Sequence, residues 1–166
     1  MIKKKVCILG AFAVGKTSLV ERFVKSIFSD KYHTTIGVKT DQKDIQLDDK
    51  QIRLILWDIN GEDDYQSVKP SYLAGTSGFI LVADGTRKET LTVAKELKNF
   101  VFNTLGEKDF YLLINKVDLF DTWEIKENML QDLKDDGWQI LNTSAKTGEN
   151  VEETFINLAK KLVFNN

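Results

Sequence analysis

The stretch GAFAVGKT, residues 10–17, follows the short apolar run VCIL and precedes a helical pattern. It matches G-x-x-x-x-G-K-[ST], the pattern of phosphate-binding loops. Its two glycines allow backbone angles that residues with a Cβ avoid, so the loop N–H groups converge on phosphate oxygens beside the positive end of the following helix. The spacing predicts that Lys16 reaches the β- and γ-phosphates and that Thr17 offers its hydroxyl to Mg²⁺. The loop alone does not identify the base, so ATPase and kinase functions stay open.

Short apolar runs rich in β-branched residues alternate with longer amphipathic stretches along the rest of the chain. The apolar runs predict buried strands, and the amphipathic stretches predict helices. Residues 44–56 differ, because isoleucine and leucine alternate with polar residues on both sides of a short polar turn, which predicts an antiparallel hairpin. The predicted strands are 6–10, 52–58, 78–84, 110–116 and 138–144, and the predicted helices are 16–26, 88–105, 123–135 and 149–164.

This alternation of strands and helices implies parallel crossovers, with helices on both faces of a sheet. We expect an α/β fold of the P-loop three-layer sandwich type, in which a six-stranded, mostly parallel sheet has one antiparallel edge strand and carries five helices, one more than the four amphipathic stretches predict by themselves. The chain has 166 residues, one proline and no repeated or Gly/Ser-rich stretch, so a single domain over residues 1–166 is expected.

Composition excludes several classes of protein. One cysteine and one histidine leave no disulfide framework and no His/Cys site for a transition metal. A net charge of −2 argues against nucleic-acid binding. No apolar run reaches the ~18 residues of an integral membrane segment, and the run before Gly10 is too short for a signal peptide, so a cytoplasmic protein is expected. The only cysteine, Cys7, lies inside the first predicted strand, and the chain itself offers no lipidation site.

A second motif, NKVD at residues 115–118, identifies the base. The carboxylate of Asp118 can accept hydrogen bonds from both N1–H and N2–H of guanine, whereas adenine offers no such pair. Asn115 can reach N7 of the base and brace the phosphate-binding loop, and Lys116 can cover the base. Behind a phosphate-binding loop, and at the end of its own buried strand, this motif predicts a guanine-nucleotide site.

Two further motifs follow predicted strands. WDINGE at residues 57–62 puts Asp58 where a carboxylate can hold Mg²⁺ through water. TSAK at residues 143–146 follows the last strand, where the Ala145 N–H can meet the guanine O6.

Together with TTIGV at residues 34–38, these motifs come in the order of the Ras-like small GTPases, and the chain resembles that family over nearly its whole length, in particular its Rab-like branch. The resemblance implies that Thr35 binds Mg²⁺ and the γ-phosphate and that the Gly61 N–H binds the γ-phosphate. It also implies that Phe28 meets the guanine edge-on and that Tyr32 covers the phosphates.

The resemblance thus assigns the site residue by residue. It implies catalytic roles for Lys16, Gly61 and Glu62, and metal binding by Thr17, Thr35 and, through water, Asp58. The implied nucleotide-binding residues are Ala13, Val14, Gly15, Lys16, Thr17, Ser18, Phe28, Tyr32, Thr35, Gly61, Asn115, Lys116, Asp118, Ser144, Ala145 and Lys146.

The function implied is that of a molecular switch, which binds GTP or GDP with Mg²⁺ and slowly hydrolyses GTP to GDP and phosphate. Residues 30–40 and 60–75 would be the loops that GTP orders and hydrolysis loosens. Through them a monomer would meet effectors, an exchange factor and an activating protein.

Three residues depart from the family pattern. Glu62 stands in place of the glutamine that orients the attacking water. Phe12 stands where the family has a small residue, and Asn60 replaces the small residue before Gly61. The departures at Phe12 and Glu62 leave an alternative open, a hydrolysis-deficient pseudo-GTPase that acts as a GTP-bound scaffold.

Overall fold

A computed structural model of the chain describes residues 1–29, 37–59 and 68–165. Six strands form one sheet in the order β2-β3-β1-β4-β5-β6, in which β2 and β3 are antiparallel and the other neighbours are parallel. This confirms the predicted α/β fold with its antiparallel edge strand. The strands are β1 (Ile2–Gly10), β2 (Val38–Leu47), β3 (Lys50–Ile59), β4 (Thr76–Asp84), β5 (Asp109–Asn115) and β6 (Ile140–Thr143).

The described α-helices follow the predicted amphipathic stretches, and two short 3-10 helices, Pro70–Leu73 and Val117–Thr122, lie between strands and helices. None of the helices in the described part of the chain is long and apolar enough to cross a membrane. The α-helices are α1 (Lys16–Lys25), α2 (Glu89–Leu105), α3 (Glu127–Asp135) and α4 (Val151–Phe164).

Helices cover both faces of the sheet, as two neighbouring residues of β4 show. A Cβ on Gly78 would stand 3.0 Å from Leu162 of α4. The next side chain, Phe79, points to the opposite face, where its ring lies 6.2 Å from that of Phe102 on α2. Burial on both sides explains why residues 6–9 of β1 and residues 78–83 of β4 are continuous apolar runs in the sequence.

The carboxyl ends of the parallel strands meet along one edge of the sheet. The register pairs Ile8 of β1 with Asp58 of β3, and Asp84 of β4 with Asn115 of β5. Asn115 is paired in turn with Thr143 of β6. In open α/β sheets this is the edge where ligands bind, and it collects the polar residues of the predicted site.

Candidate nucleotide-binding site

The loop between β1 and α1 needs glycine at both ends. A Cβ on Gly10 would stand 2.4 Å from the backbone oxygen of Val82, which cannot move aside. Gly15, directly before α1, has φ +103°, and its Cβ would stand 2.3 Å from the side-chain nitrogen of Asn115. The close approach of this loop to its neighbours therefore rests on the two glycines of the motif.

Side chains from the ends of β4 and β5 bind three successive carbonyl groups of this loop, those of residues 12–14. Arg87 Nη2 donates to the first at 2.6 Å, Lys116 Nζ to the second at 3.2 Å and Asn115 Nδ2 to the third at 3.0 Å. In a trans peptide the C=O and the next N–H point in opposite directions. Because these carbonyls are hydrogen-bonded on one side of the loop, the N–H groups that follow them point to the opposite side. An anion-binding loop requires its N–H groups in this arrangement.

Lys16 is buried, with 6% of its surface exposed. Its Nζ donates to the carbonyls of Gly10 and Ala11, both at 3.0 Å. Burial lowers the pKa of this ammonium to about 8, opposed by the attraction of Asp58 and assisted by the charge of Arg87. A phosphate beside Lys16 would favour its charged form.

Thr17, in the first turn of α1, donates its hydroxyl hydrogen to Asp58 Oδ2 at 2.5 Å. Asp58 lies in β3 and is 1% exposed. Hydroxyl and carboxylate oxygens suit Mg²⁺, which takes few protein ligands and completes its shell with water and substrate phosphates. No cluster of three or more His, Cys, Asp or Glu side chains able to hold a metal occurs in the described ranges. The donor set thus fits a magnesium ion that a phosphate ligand completes.

The carboxylate predicted to read the base is held in place while it faces solvent. Asp118 is exposed on the 3-10 helix after β5. The buried Ser144 donates to its Oδ1 at 2.8 Å and itself accepts a hydrogen bond from the Thr147 N–H at 3.0 Å. Ser144 follows β6, so the NKVD and TSAK motifs meet at this contact.

Asn115 joins the base end of the site to the phosphate end. It is almost fully buried, donates to Val14 O and accepts from the Thr143 hydroxyl at 3.1 Å. This is the bracing of the loop that the sequence predicts for Asn115.

The TSAK segment is held by Arg22 of α1, which the sequence does not single out. Arg22 Nε donates to Ala145 O at 2.8 Å, and Nη2 donates to Lys146 O. Ala145 is buried, whereas Lys146 is exposed. The only signal in the sequence was an arginine, a side chain with several hydrogen-bond donors, about one turn before the end of the predicted helix 16–26.

The other predicted residues are placed as follows. Ser18 is half-buried in α1 and Phe28 is 36% exposed after α1. The predictions for Tyr32, Thr35, Gly61 and Glu62 lie outside the described residues. Ala13, with φ +62°, lies within the loop.

A sequence model of the Ras family matches residues 5–164. The chain belongs to the Ras family. It is 34% identical over 163 residues to the Ras-related protein Rab-22A of Canis lupus familiaris and to that of Homo sapiens, an alignment that covers 95% of this chain and 82% of each relative. The expected Ras-like, Rab-like identity is confirmed: the protein is a small GTPase, of a family that binds guanine nucleotides, hydrolyses GTP and works with regulators and effectors. The P-loop kinase or ATPase alternative is thereby set aside.

The structure of this GTPase adds a buried carboxylate that the sequence analysis missed. Asp84 ends β4, is 1% exposed and accepts hydrogen bonds from Lys116 Nζ at 2.7 Å and Arg87 Nε at 3.1 Å. The N–H and hydroxyl of Thr86 also donate to it, at 2.9 and 2.7 Å. Burial alone would raise the pKa of Asp84, but hydrogen bonds from Lys116 and Thr86 hold that pKa below its usual value. An aspartate closing the apolar run GFILVAD was the available signal.

Trp123 is the second residue that the sequence did not connect to the site. Its ring lies on Gly85, where a Cβ would stand 2.0 Å from the indole. Its Nε1–H donates to Lys116 O at 2.9 Å, and Lys116 has the left-handed φ of +75°. Trp123 therefore holds the backbone of the NKVD loop at Lys116.

Proposed function

We propose that this small GTPase is a molecular switch that binds GTP and GDP with Mg²⁺ at the carboxyl edge of its sheet and slowly hydrolyses GTP. The observation that carries the proposal is the joint anchoring of the two predicted ends of the site. Asn115 and Lys116, from the motif that ends in Asp118, donate to the carbonyls of Val14 and Ala13 in the phosphate-binding loop. In the proposed site, the motif that reads the base therefore also holds the loop that binds the phosphates.

In this proposal the loop amides and the ammonium of Lys16 bind the phosphates and stabilise charge on the β,γ-bridge. Thr17, Thr35 and, through water, Asp58 would hold Mg²⁺, and the bound ion would neutralise phosphate charge. Gly61 would contact the γ-phosphate, and Glu62 would take the place of the residue that orients the attacking water. The remaining proposed nucleotide contacts are Ala13, Val14, Gly15, Ser18, Phe28, Tyr32, Asn115, Lys116, Asp118, Ser144, Ala145 and Lys146.

We further propose that residues 30–40 and 60–75 change order with the nucleotide and present the surface for effectors, an exchange factor and an activating protein. Of these segments, the structure describes 37–40 and 68–75. The unit that does this is a monomeric G domain over residues 1–166, acting in the cytoplasm.

The decisive experiment changes the base-reading carboxylate. Asp118→Asn should shift preference from guanine to xanthine nucleotides, because the amide can donate to the 2-oxo group of xanthine. The wild-type pocket should reject xanthine and adenine, because neither base pairs with all the polar groups that are arranged for guanine. Asp121→Asn, an exposed aspartate on the same 3-10 helix, is the matched control and should keep guanine preference. Competition of GDP, xanthosine diphosphate and ADP against a fluorescent GDP measures this. Guanine binding that survives Asp118→Ala unchanged would reject the assignment.

The metal part has its own measurement. Removal of Mg²⁺ by a chelator should speed release of GDP from the wild-type protein, and this acceleration should be much smaller in Thr17→Ala. Equal acceleration in both proteins would contradict a role for Thr17 as ligand.

The scaffold alternative rests on the departures at Phe12 and Glu62 alone. Phosphate release from purified, GTP-loaded protein separates it from the switch, since a scaffold releases none.

A further inference from the structure

Arg87 bridges two parts of the molecule that are 75 residues apart in the chain. Its Nη2–H donates to Phe12 O at 2.6 Å, and its Nε–H donates to Asp84 Oδ2 at 3.1 Å. The guanidinium thus uses two of its N–H groups, one on the phosphate-binding loop and one on the end of β4. The side chain remains 33% exposed.

The carboxylate that holds Arg87 is a rigid support. Asp84 is 1% exposed and ends a strand whose neighbours on both sides are hydrogen-bonded to it. A buried carboxylate is costly unless it is paired and hydrogen-bonded. Thr86 and Lys116 supply the further donors to Asp84, so the direction in which the carboxylate receives Arg87 is set by several contacts together.

The carbonyl that Arg87 binds governs an N–H of the loop. Phe12 C=O and Ala13 N–H belong to one planar peptide and point in opposite directions. Lys116 and Asn115 of the NKVD motif hold the next two carbonyls. Arg87 belongs to no recognised motif of the chain, yet it completes this series at the position nearest the start of the loop.

We propose that Arg87, supported by Asp84, is a positioning residue that holds the phosphate-binding loop in its anion-binding shape and thereby slows nucleotide release. The inference rests on the proposed function, in which this loop binds the phosphates of GDP and GTP. Without the Arg87 contact, the peptide between Phe12 and Ala13 gains freedom to turn its N–H away from the phosphates. Binding must then reorder that peptide, and the bound nucleotide escapes more readily.

The test compares release of a fluorescent GDP analogue, in excess unlabelled GDP, from wild type and three variants. Arg87→Met removes both hydrogen bonds and keeps an unbranched apolar stem, and we expect release about tenfold faster or more, as for loss of a hydrogen bond that involves a charged group. Arg87→Lys keeps the charge but not the planar fork, so we expect an intermediate rate. Arg53→Met is the matched control, because it breaks an Arg–Asp pair of 2.7 Å with Asp44 on the β2–β3 hairpin, and it should release GDP at the wild-type rate.

A second readout separates positioning from general loss of structure. The ³¹P NMR shift of the β-phosphate in bound GDP reports the loop geometry, and we expect it to move in Arg87→Met and not in Arg53→Met. Release at the wild-type rate from both Arg87 variants, or an acceleration matched by Arg53→Met, would overturn the inference while leaving the proposed function intact. Wild-type protein that retains no guanine nucleotide would overturn the proposed function, and this inference with it.

Discussion

A Cβ on Gly15 would stand 2.3 Å from the side-chain nitrogen of Asn115, so these two residues pack against each other with no room for an added methyl group. The amide of Asn115 cannot easily give way, because it is bonded to Val14 O on one side and to Thr143 on the other. The glycine of one motif therefore makes the space for the asparagine of the other.

Gly15→Ala tests this relationship. We expect it to lower the free energy of unfolding by about 1–3 kcal/mol, from the left-handed φ and the clash together, and to weaken GDP binding strongly. Gly137→Ala is the control, because Gly137 also has a positive φ, of +90°, but nothing lies within 4 Å of its Cβ position. Urea unfolding and GDP titration of both variants measure the difference, and equal losses in the two would mean that the Asn115 contact is unimportant.

The packing of Trp123 on Gly85 leads to a second prediction. Gly85→Ala should lower the free energy of unfolding by about 1–3 kcal/mol, because its Cβ would overlap the indole ring. In the double variant Gly85→Ala with Trp123→Leu the ring is gone, so the combined loss should be smaller than the sum of the two single losses by at least ~0.5 kcal/mol. Urea unfolding of the four proteins gives this coupling. Additive losses would show that the ring moves aside at little cost.

The buried carboxylate of Asp84 predicts a pH dependence of stability. Its folded-state pKa is lowered, so its stabilising contribution is complete above the unfolded-state value of about 3.9 and is lost as the pH falls through the folded-state value. Asp84→Asn should therefore be less stable than wild type at pH 7, by about 1–3 kcal/mol, and the difference should shrink below about pH 4. Urea unfolding over a pH series checks the sign.

Asp44 provides the control for that prediction. The pKa of Asp44 is also lowered, through its hydrogen bond from Arg53, but this pair is exposed. Exposed ion pairs contribute little and are screened by salt. The effect of Asp44→Asn should therefore fade in high salt, whereas that of Asp84→Asn should persist. A gap between wild type and Asp84→Asn that widens on acidification would contradict the assignment.

Hydrophobic patterning was sufficient to predict the sheet, because strands covered on both faces must be continuously apolar. It did not predict the full length of the antiparallel strands β2 and β3. The hairpin was predicted over 44–56, whereas β2 and β3 extend over 38–59. The first seven residues of β2, VKTDQKD, are half-buried or exposed and carry no apolar alternation, so only their pairing with β3 makes them a strand.

The start of α3 was placed at 123 and lies at Glu127. The sequence pattern includes Trp123 in this helix, but its indole packs on Gly85, 38 residues earlier in the chain, and such a contact leaves no local pattern. The sequence analysis missed the roles of Asp84 and Arg87 for the same reason. The motifs contain the residues proposed to meet the nucleotide, whereas Arg87 binds a backbone carbonyl of the loop and Asp84 holds Arg87. A backbone carbonyl places no requirement on the sequence around it.

The final prediction concerns hydrolysis, where the chain departs from its family. Phe12 is 41% exposed at the phosphate-binding loop, where a benzyl group would obstruct an incoming arginine finger. Glu62 can accept a hydrogen bond from water but cannot donate one to the transition-state oxygens. Since Ras-type intrinsic turnover is only about 10⁻⁴ s⁻¹ and an arginine finger adds roughly 10³–10⁵, we expect a basal rate at or below that value and little response to a Ras-type activator.

Phe12→Gly combined with Glu62→Gln should raise turnover by at least roughly tenfold, equivalent to about 1.4 kcal/mol of activation free energy. The Phe12 substitution leaves a backbone carbonyl for Arg87 to bind, so nucleotide retention should change less than turnover. Single-turnover phosphate release from preloaded protein measures the rate, and the two single variants show which side chain limits it. A wild-type rate well above the intrinsic value of the family, or a double variant slower than wild type, would mean that Phe12 and Glu62 belong to a working catalytic arrangement of a different kind.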